Sequence, residues 1–495
     1  MTSAATKYET VIGLEVHAQL LTRSKMFCGC PTTFGARPNT QTCPVCLGMP
    51  GSLPVVNRRA VEFGIRTALA FGCRINEACR FARKHYYYPD MPKNYQISQY
   101  EEPLAEDGVL EIDVEGGARA IGIQRLHLEE DVGKLLHEGT LETAQASLVD
   151  FNRSGVALME TVSHPELTSP EEAAAYLRAF RAVLIFLGVC DGNMEEGSLR
   201  CDANVSIRPR GTTKLGTKVE IKNLNSFRNV QRALEFEVRR QAQALDSGER
   251  IVQETRLWEA DRGYTRSMRS KEFAHDYRYF PEPDLVPLRI DRRWVDEIRA
   301  GLPELPRAWR QRAVAQYGLP AYDAEVLTQS RALVDYYETA LHEWAGAAGA
   351  GTERPKILSN WIMSEILRVL PGDDERAIQS SPIPPRRLVG LLELIENSTI
   401  SGKIAKDVFE KMWASGEPAS AIVEREGLAQ LDDESALQAA VAEVVAASPD
   451  QVASYRGGKA AALGWFVGQV MKKTGGRANP QTVNALLRKA LDEPR

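Results

Sequence analysis

The sequence has no apolar run long enough to cross a membrane and no amino-terminal pattern typical of secretion. Its densest apolar segment, residues 182–190, is far shorter than the roughly 20 residues that a membrane-spanning helix needs. The first residues also lack a basic stretch followed by an apolar core. We therefore expect a cytoplasmic protein with no membrane partner, whose eight cysteines are reduced or metal-bound rather than paired in disulfides.

Motifs of the common nucleotide-binding and hydrolytic folds are missing as well. Neither G-x-x-x-x-G-K-[ST] nor G-x-G-x-x-G occurs, so a bound nucleotide would have to be held without a glycine-rich phosphate loop. The pattern G-x-S-x-G is also absent, which argues against an ordinary α/β-hydrolase.

The composition is nonetheless that of a folded protein. The 495 residues are 43% hydrophobic and 26% charged, which excludes wholesale disorder and favours several domains. Up to about residue 290 the pattern is β-rich with helical insertions, and strand-like alternation disappears after residue 284. We predict an α+β protein with a mixed or antiparallel β domain over residues 1–294, an all-α helical domain over 295–405 and a small helical tail domain over 406–495.

Three predicted strands carry polar side chains on one face. They are residues 8–20, 121–131 and 199–207, in which polar and apolar positions alternate. The acidic residues and the histidine that stand out on them are Glu15, His17, Glu129 or Glu130, and Asp202. Carboxylates that converge on a sheet surface would suit Mg²⁺, which bridges protein carboxylates to phosphate oxygens. For any single pair, however, a solvated strand face explains the pattern better than a metal site does.

Two closely spaced cysteine pairs form the strongest local pattern. Cys28 and Cys30 are followed, after twelve residues, by Cys43 and Cys46. This spacing predicts a structural zinc site with four thiolate ligands and no open position for water. The alternative is four reduced cysteines without a metal. The unpaired Cys73, Cys79, Cys190 and Cys201 are expected to be buried apolar residues.

Two further segments have the composition of nucleic-acid-binding surfaces. The loop of residues 83–96 mixes basic and aromatic side chains, a combination that holds unstacked bases or a purine. Residues 451–490 contain seven basic residues and no Asp or Glu, within a protein whose net charge is −5. Tyrosines packed on the core and a basic face that serves only solubility are the alternatives. The candidate substrate- or nucleic-acid-binding residues are Lys84, Tyr86, Tyr88, Lys93, Arg456, Lys459, Lys472, Lys473 and Arg477.

Long motifs in one order along the chain resemble the B subunits of aspartyl/glutamyl-tRNA(Asn/Gln) amidotransferases. The amino-terminal ETVIGLEVH, residues 9–17, is one of them. Others are YYYPDMPK (86–93), LHLEED (126–131), DFNRSG (150–155), GSLRCDANVS (197–206), EIKNLNS (220–226), DYRYFPEPDL (276–285), GQVMKK (468–473) and GRANP (476–480).

The resemblance implies a ligase, part of a heterotrimer with a glutaminase A subunit and a small C subunit. In such enzymes ATP phosphorylates the side-chain carboxyl of Glu-tRNA(Gln) or Asp-tRNA(Asn), and ammonia from the A subunit displaces the phosphate. The family also implies a cradle with glutamine-synthetase-like topology and a tRNA-binding tail. By similarity, Glu15, His17, Glu129 or Glu130, and Asp202 would hold Mg²⁺, and Arg200, Asn204 and Lys222 would hold phosphate or substrate.

Two other functional classes compete with this interpretation. A non-catalytic RNA-binding adaptor would use the same basic tail, but it has no need for carboxylates such as Glu15 and Asp202 near an RNA path. A free-standing carboxylate–amine ligase that acts on small amino acids would leave the basic tail unexplained.

Overall fold

The computed structural model describes residues 7–137, 146–270, 274–345, 353–370, 377–429, 434–459, 461–475 and 478–492. The chain forms two compact units, residues 1–306 and 307–495. An α+β architecture is confirmed, because a mixed sheet is followed by helices. The three-part division with boundaries at 294 and 405 stays a prediction. Within the described ranges, no helix is both long and apolar enough to cross a membrane.

The first unit contains the strands. They are β1 (Tyr8–Gln19), β2 (Arg74–Ile75), β3 (Ala78–Cys79), β4 (Ala82–His85), β5 (Tyr95–Ser98), β6 (Ala105–Val114), β7 (Gly117–Glu130), β8 (Lys134–His137), β9 (Ser147–Asp150), β10 (Ala157–Ser163), β11 (Leu199–Pro209), β12 (Val219–Leu224), β13 (Glu254–Glu259), β14 (Tyr264–Ser270), β15 (Phe280–Pro281) and β16 (Leu288–Arg289). The last strand, β16, pairs with β3 and ends at residue 289, within the range of about 290 residues that the sequence pattern marks as β-rich.

Most strands join one twelve-stranded sheet. Its order is β14-β13-β12-β11-β1-β10-β7-β5-β4-β15, with β6 paired to β7 and β2 paired to β6. β12 and β13 are parallel, and the other described pairs are antiparallel. The centre of the sheet is therefore formed by β11, β1, β10 and β7, which include the three strands predicted from alternation.

Helices cover one face of this sheet. They are α1 (Arg58–Ala70), α2 (Pro170–Leu187) and α3 (Phe227–Asp246), followed by α4 (Arg292–Ala300). The apolar positions of the central strands, such as Leu14 and Val205, are buried with Leu177 of α2 and Leu234 of α3 in one hydrophobic core. The polar positions of the same strands lie on the opposite face, because successive side chains of a strand alternate.

The second unit is helical. Its elements begin with α5 (Pro306–Tyr317), which starts at the boundary, and continue with α6 (Ala321–Leu327), α7 (Arg331–Ala345), α8 (Arg354–Trp361), a π-helical turn (Ile362–Ile366), α9 (Leu367–Val369), α10 (Pro385–Glu396), α11 (Gly402–Ser415), α12 (Ala419–Glu426), α13 (Glu434–Ala446), α14 (Pro449–Arg456), α15 (Ala461–Lys473) and α16 (Pro480–Asp492). Residues 305–341, predicted as helical, contain breaks at Gly318 and Pro320 and before Ser330, and thus form three helices.

Candidate active site and four-cysteine centre

Cross-strand pairing aligns polar residues on the face of the sheet opposite the helices. Arg200, His17, Glu160 and His127 form one row across β11, β1, β10 and β7. Glu15 is paired with Asp202 in the adjacent row, and Glu129 lies on the other side of the row in β7. Directly paired residues point to the same face, so the register brings several carboxylates and two imidazoles together.

A three-residue cluster occupies the centre of this face. His17, Glu129 and Glu160 each offer a ligand atom, and the three atoms lie within 4.8 Å of one another. His17 Nε2 is 3.2 Å from Glu160 Oε2, and Ser98 Oγ donates to Glu129 Oε2 at 3.1 Å. Both carboxylates are buried. This donor set fits a divalent cation, because carboxylate oxygens are preferred ligands of Mg²⁺.

The charges of the cluster are strongly coupled. Burial raises the pKa of Glu160, but the charge of His127 and the hydrogen bond from His17 outweigh burial and hold that pKa well below its usual value. Burial lowers the pKa of His17, and Glu160 more than reverses this effect, so that its pKa is raised. The imidazoles therefore compensate part of the negative charge.

Glu15 lies where carboxylates are in excess. Burial raises its pKa, and the charges of Glu160, Asp202 and Glu220 raise it further. Its Oε1 accepts a hydrogen bond from Asn204 Nδ2 at 2.9 Å. Asp202 is bound by the ammonium of Lys222. A bound cation would relieve the repulsion between these carboxylates, which is a second indication that the face suits a metal.

Arg200 holds the other end of the face. Its Nη2 donates to Asp131 Oδ2 at 2.8 Å, and Gln19 Nε2 donates to the same oxygen at 2.7 Å. The Nε atoms of Arg200 and Arg125 are buried and have no hydrogen-bond partner among the residues that the structure describes. Unpaired buried donors are costly, so these two guanidinium groups suit an anionic substrate group such as phosphate.

Aromatic side chains border the cluster at the β4 edge of the sheet. Burial lowers the pKa of Lys84, but the nearby Glu129 and Glu160 outweigh burial and raise it. The Lys84 ammonium also lies 5.0 Å from the centre of the Tyr277 ring. Tyr86 and Tyr88 are stacked with their ring centroids 5.3 Å apart. The predicted substrate-binding loop thus combines a lysine beside the carboxylates with stacked tyrosines further out.

Glu130 and Lys93 lie elsewhere. Alternation along β7 sends Glu130 to the face opposite Glu129, where its carboxylate binds the Lys93 ammonium and accepts from Ile97 N at 3.0 Å. Both side chains are almost fully buried. The structure therefore brings Glu129, and not Glu130, to the carboxylate cluster, and it places Lys93 inside the fold.

The four paired cysteines converge. The Sγ atoms of Cys28, Cys30, Cys43 and Cys46 all lie within 4.8 Å of one another. A hydrogen bond from the Cys28 thiol lowers the pKa of Cys46 to about 4, and the charge of Lys25 contributes. Four converging cysteine sulfurs are the donor set of a tetrahedral zinc site. The remaining cysteines, at positions 73, 79, 190 and 201, are buried, as predicted.

The basic residues of the tail lie around a small helical core. Phe466 and Val470 of α15 are buried against α13 and α16. The opposite side of α15 carries Trp465, which is 39% exposed, and Lys472. Arg456 Nε donates to Leu491 O at 3.1 Å, and Lys473 pairs with Glu443. Lys459 is exposed, and Arg477 lies outside the described residues.

Sequence reasoning missed Glu160, His127 and Asp131 as members of the site. Glu160 is the only charged residue of β10, a strand that is buried along most of its length. A carboxylate in such a strand is rarely accidental, because buried charges need partners. That single charge was the available signal.

Comparison with known proteins agrees with this description. Residues 10–296 match the family described as the GatB/GatE catalytic domain, and residues 344–491 match the GatB domain. The chain is 55% identical to the B subunit of the aspartyl/glutamyl-tRNA(Asn/Gln) amidotransferase of Carboxydothermus hydrogenoformans, over 98% of this chain and 99% of that protein. The corresponding proteins of Thermodesulfovibrio yellowstonii and Moorella thermoacetica are 54% and 56% identical over 98% of this chain and all of their own length.

The sheet unit with its carboxylate face therefore defines a catalytic domain of the GatB/GatE class. At this identity over nearly the whole length, the chain belongs to the family of aspartyl/glutamyl-tRNA(Asn/Gln) amidotransferase B subunits. The resemblance seen in the sequence motifs is confirmed.

Proposed function

We propose that this chain carries the ATP-dependent step of a glutamine-dependent tRNA amidotransferase, within a complex that also contains a glutaminase A subunit and a small C subunit. The substrates are Glu-tRNA(Gln), Asp-tRNA(Asn) or both. The side-chain carboxylate of the misacylated amino acid attacks the γ-phosphorus of ATP, and ADP leaves. Ammonia then attacks the activated carbonyl carbon, and phosphate leaves with the bonding electron pair. We expect this complex to act in the cytoplasm, where translation takes place.

The cluster of His17, Glu129 and Glu160 carries this proposal. When bound there, Mg²⁺ would neutralise negative charge between the carboxylates and the phosphate oxygens of ATP. Glu15 and Asp202 lie beside the cluster and would complete the cation site directly or through water. The excess of carboxylates at Glu15 supports this assignment.

The positively charged side chains around the cluster have a different proposed role. A carboxylate that attacks a phosphoryl group needs positive groups already in place, because both reactants are negatively charged. Lys84 and Arg200 flank the cluster and are placed to supply this positive charge. Asn204 and Lys222 hold the carboxylates of Glu15 and Asp202 in position.

The remaining predictions concern support and recognition. The four cysteines would bind one structural Zn²⁺, and the basic tail would bind the tRNA. The glutamine-synthetase-like topology stays an expectation from the family. Stacking on Tyr86 and Tyr88 would hold an unpaired base of the substrate near Lys84.

The decisive experiment is amide formation by the reconstituted complex with ATP, glutamine and each misacylated tRNA. We expect Glu129→Gln to abolish amidation and ATP hydrolysis while glutaminase assembly is kept. Glu111→Gln, on the exposed edge of β6, is the matched control and should behave as the wild type. Full amidation by Glu129→Gln, or no amidation of either tRNA by the wild-type complex, would contradict the proposal.

A further inference from the structure

Lys25 is a fully buried lysine without a carboxylate partner. It follows β1 and has no exposed surface. Among the described residues, no Asp or Glu lies within ion-pair distance of its ammonium group. Its Nζ contacts are Cys46 Sγ at 3.6 Å and the carbonyl oxygen of Phe151 at 3.2 Å. A buried ammonium group is strongly unfavourable unless an anion balances it.

The four-cysteine centre is the anion within reach. Four thiolates around one Zn²⁺ carry a net charge of −2, since four negative charges are offset by two positive ones. The ammonium of Lys25 would halve that charge by a direct contact with Cys46. A positive group in direct contact with a ligand sulfur, buried where water cannot screen it, would reduce the repulsion among the four thiolates and thereby slow the loss of the metal.

We propose that Lys25 is the counter-ion of the four-cysteine centre. This inference rests on the proposed zinc site and deepens it, because it assigns a residue outside the cysteine motif to metal retention. Lys25 is a positioning residue and does not touch the reactants.

The same lysine links the centre to the active-site face. Phe151, whose carbonyl accepts from Lys25, belongs to the loop of residues 150–155. In that loop Arg153 donates to the carbonyl of Val132 at 2.9 Å and lies 3.8 Å from Asp131, which holds Arg200. Loss of the counter-ion would thus loosen the support of Asp131 as well as the metal.

The test compares zinc release in the full complex. Lys25→Met keeps the length of the side chain and removes its charge, and Lys25→Gln removes the charge but keeps a donor. Lys214→Met, at an exposed position, is the control. Zinc content is measured by elemental analysis, and release to a chromogenic chelator is followed in time.

We expect the control and the wild type to retain about one Zn per chain, and both Lys25 variants to release it 10–100-fold faster. Cobalt-substituted Lys25→Met should also show a shifted thiolate-to-metal charge-transfer band, which can be read even if the variant is less stable. Wild-type release from Lys25→Gln would overturn the role of the charge, and wild-type release from both variants would overturn the proposal. A wild-type protein that binds no zinc would refute the zinc site itself and this inference with it.

Discussion

Glu160 is the residue of the carboxylate face whose substitution tests the proposed cation site most directly. It lies between His17 and His127 in the cross-strand row, and both imidazoles approach its carboxylate. Glu160→Gln keeps the shape of the side chain but removes the charge that balances them. We expect amidation to fall on the order of 100-fold and Mg²⁺ affinity to weaken, as measured by the Mg²⁺ dependence of the rate. A rate within twofold of the wild type would remove Glu160 from the site.

Glu365 provides a residue-level test of stability in the helical unit. It lies in the π-helical turn, nearly buried, where Lys406 Nζ approaches Oε1 at 2.7 Å and Arg368 approaches Oε2 at 3.3 Å. Burial raises its pKa, but the hydrogen bond and charge of Lys406 and the contact with Arg368 outweigh burial and lower it. The ionised carboxylate therefore stabilises the folded state above its unfolded pKa of about 4.3.

We expect Glu365→Gln to lower the free energy of unfolding by about 1 kcal/mol at pH 7, a value reduced because both cationic side chains are half exposed. The difference should vanish as the pH falls through the lowered folded-state pKa, since the wild-type carboxyl is then protonated too. Denaturant unfolding at pH 7 and pH 3.5 measures both values. An equal difference at the two pH values would contradict the assignment to charge.

Among the helices of the tail, α15 has one side buried in the core and another side that lines an open groove. Its buried side packs into the tail core, whereas Trp465, Gln469 and Lys472 line an open groove of about 440 Å³ with the end of α13. An exposed indole beside lysines suits an unpaired base and its phosphate. The groove therefore supports the prediction that the tail binds tRNA.

Substitutions on this helix should separate stacking from charge. Trp465→Ala should raise the Kd for tRNA about tenfold and leave the salt dependence of binding unchanged, because stacking releases no counterions. Lys472→Gln should weaken binding less and reduce the salt slope. Exposed Phe34 of the sheet unit, replaced by Ala, is the control. Binding of the Trp465→Ala variant at wild-type strength would exclude the groove as a base-binding site.

The elements that could be predicted from the sequence are those in which the pattern of neighbouring residues also determines which side is buried. The alternation of β1 and β11 survives in the structure because one face is covered by α2 and α3 and the other carries polar residues. The side chain of Ser169 caps α2 by accepting a hydrogen bond from Glu172 N, a contact that depends only on neighbouring residues of the chain. Glu129 and Glu130 could not be separated, because a choice between adjacent residues requires the register of β7. Glu160 was missed because its role depends on neighbours contributed by two other strands.

At the scale of the whole molecule, the proposed catalytic face and the basic tail belong to different units. The carboxylate face and the cysteine centre both belong to the first unit, whereas the basic residues of the tail belong to the second. A misacylated tRNA must be selected by its body, because the reacting side chain is small. The division therefore predicts that the catalytic step and the affinity for tRNA can be altered independently.

Truncation of the tail tests whether catalysis and tRNA affinity are independent. The truncation site has to be chosen so that the hydrophobic core of the tail is removed as a whole. Leu437 and Val441 of α13 are buried with Phe466 and Leu487, so a cut at residue 451 would expose an apolar surface that the folded tail covers. A chain that ends at residue 429 removes the whole core instead. We expect its complex to show a KM for tRNA at least about tenfold higher, with a weaker salt dependence, because phosphate contacts are lost. The glutaminase activity of the complex should be unchanged, which serves as the control. If the KM for tRNA and its salt dependence were also unchanged, the basic tail would have no role in tRNA binding.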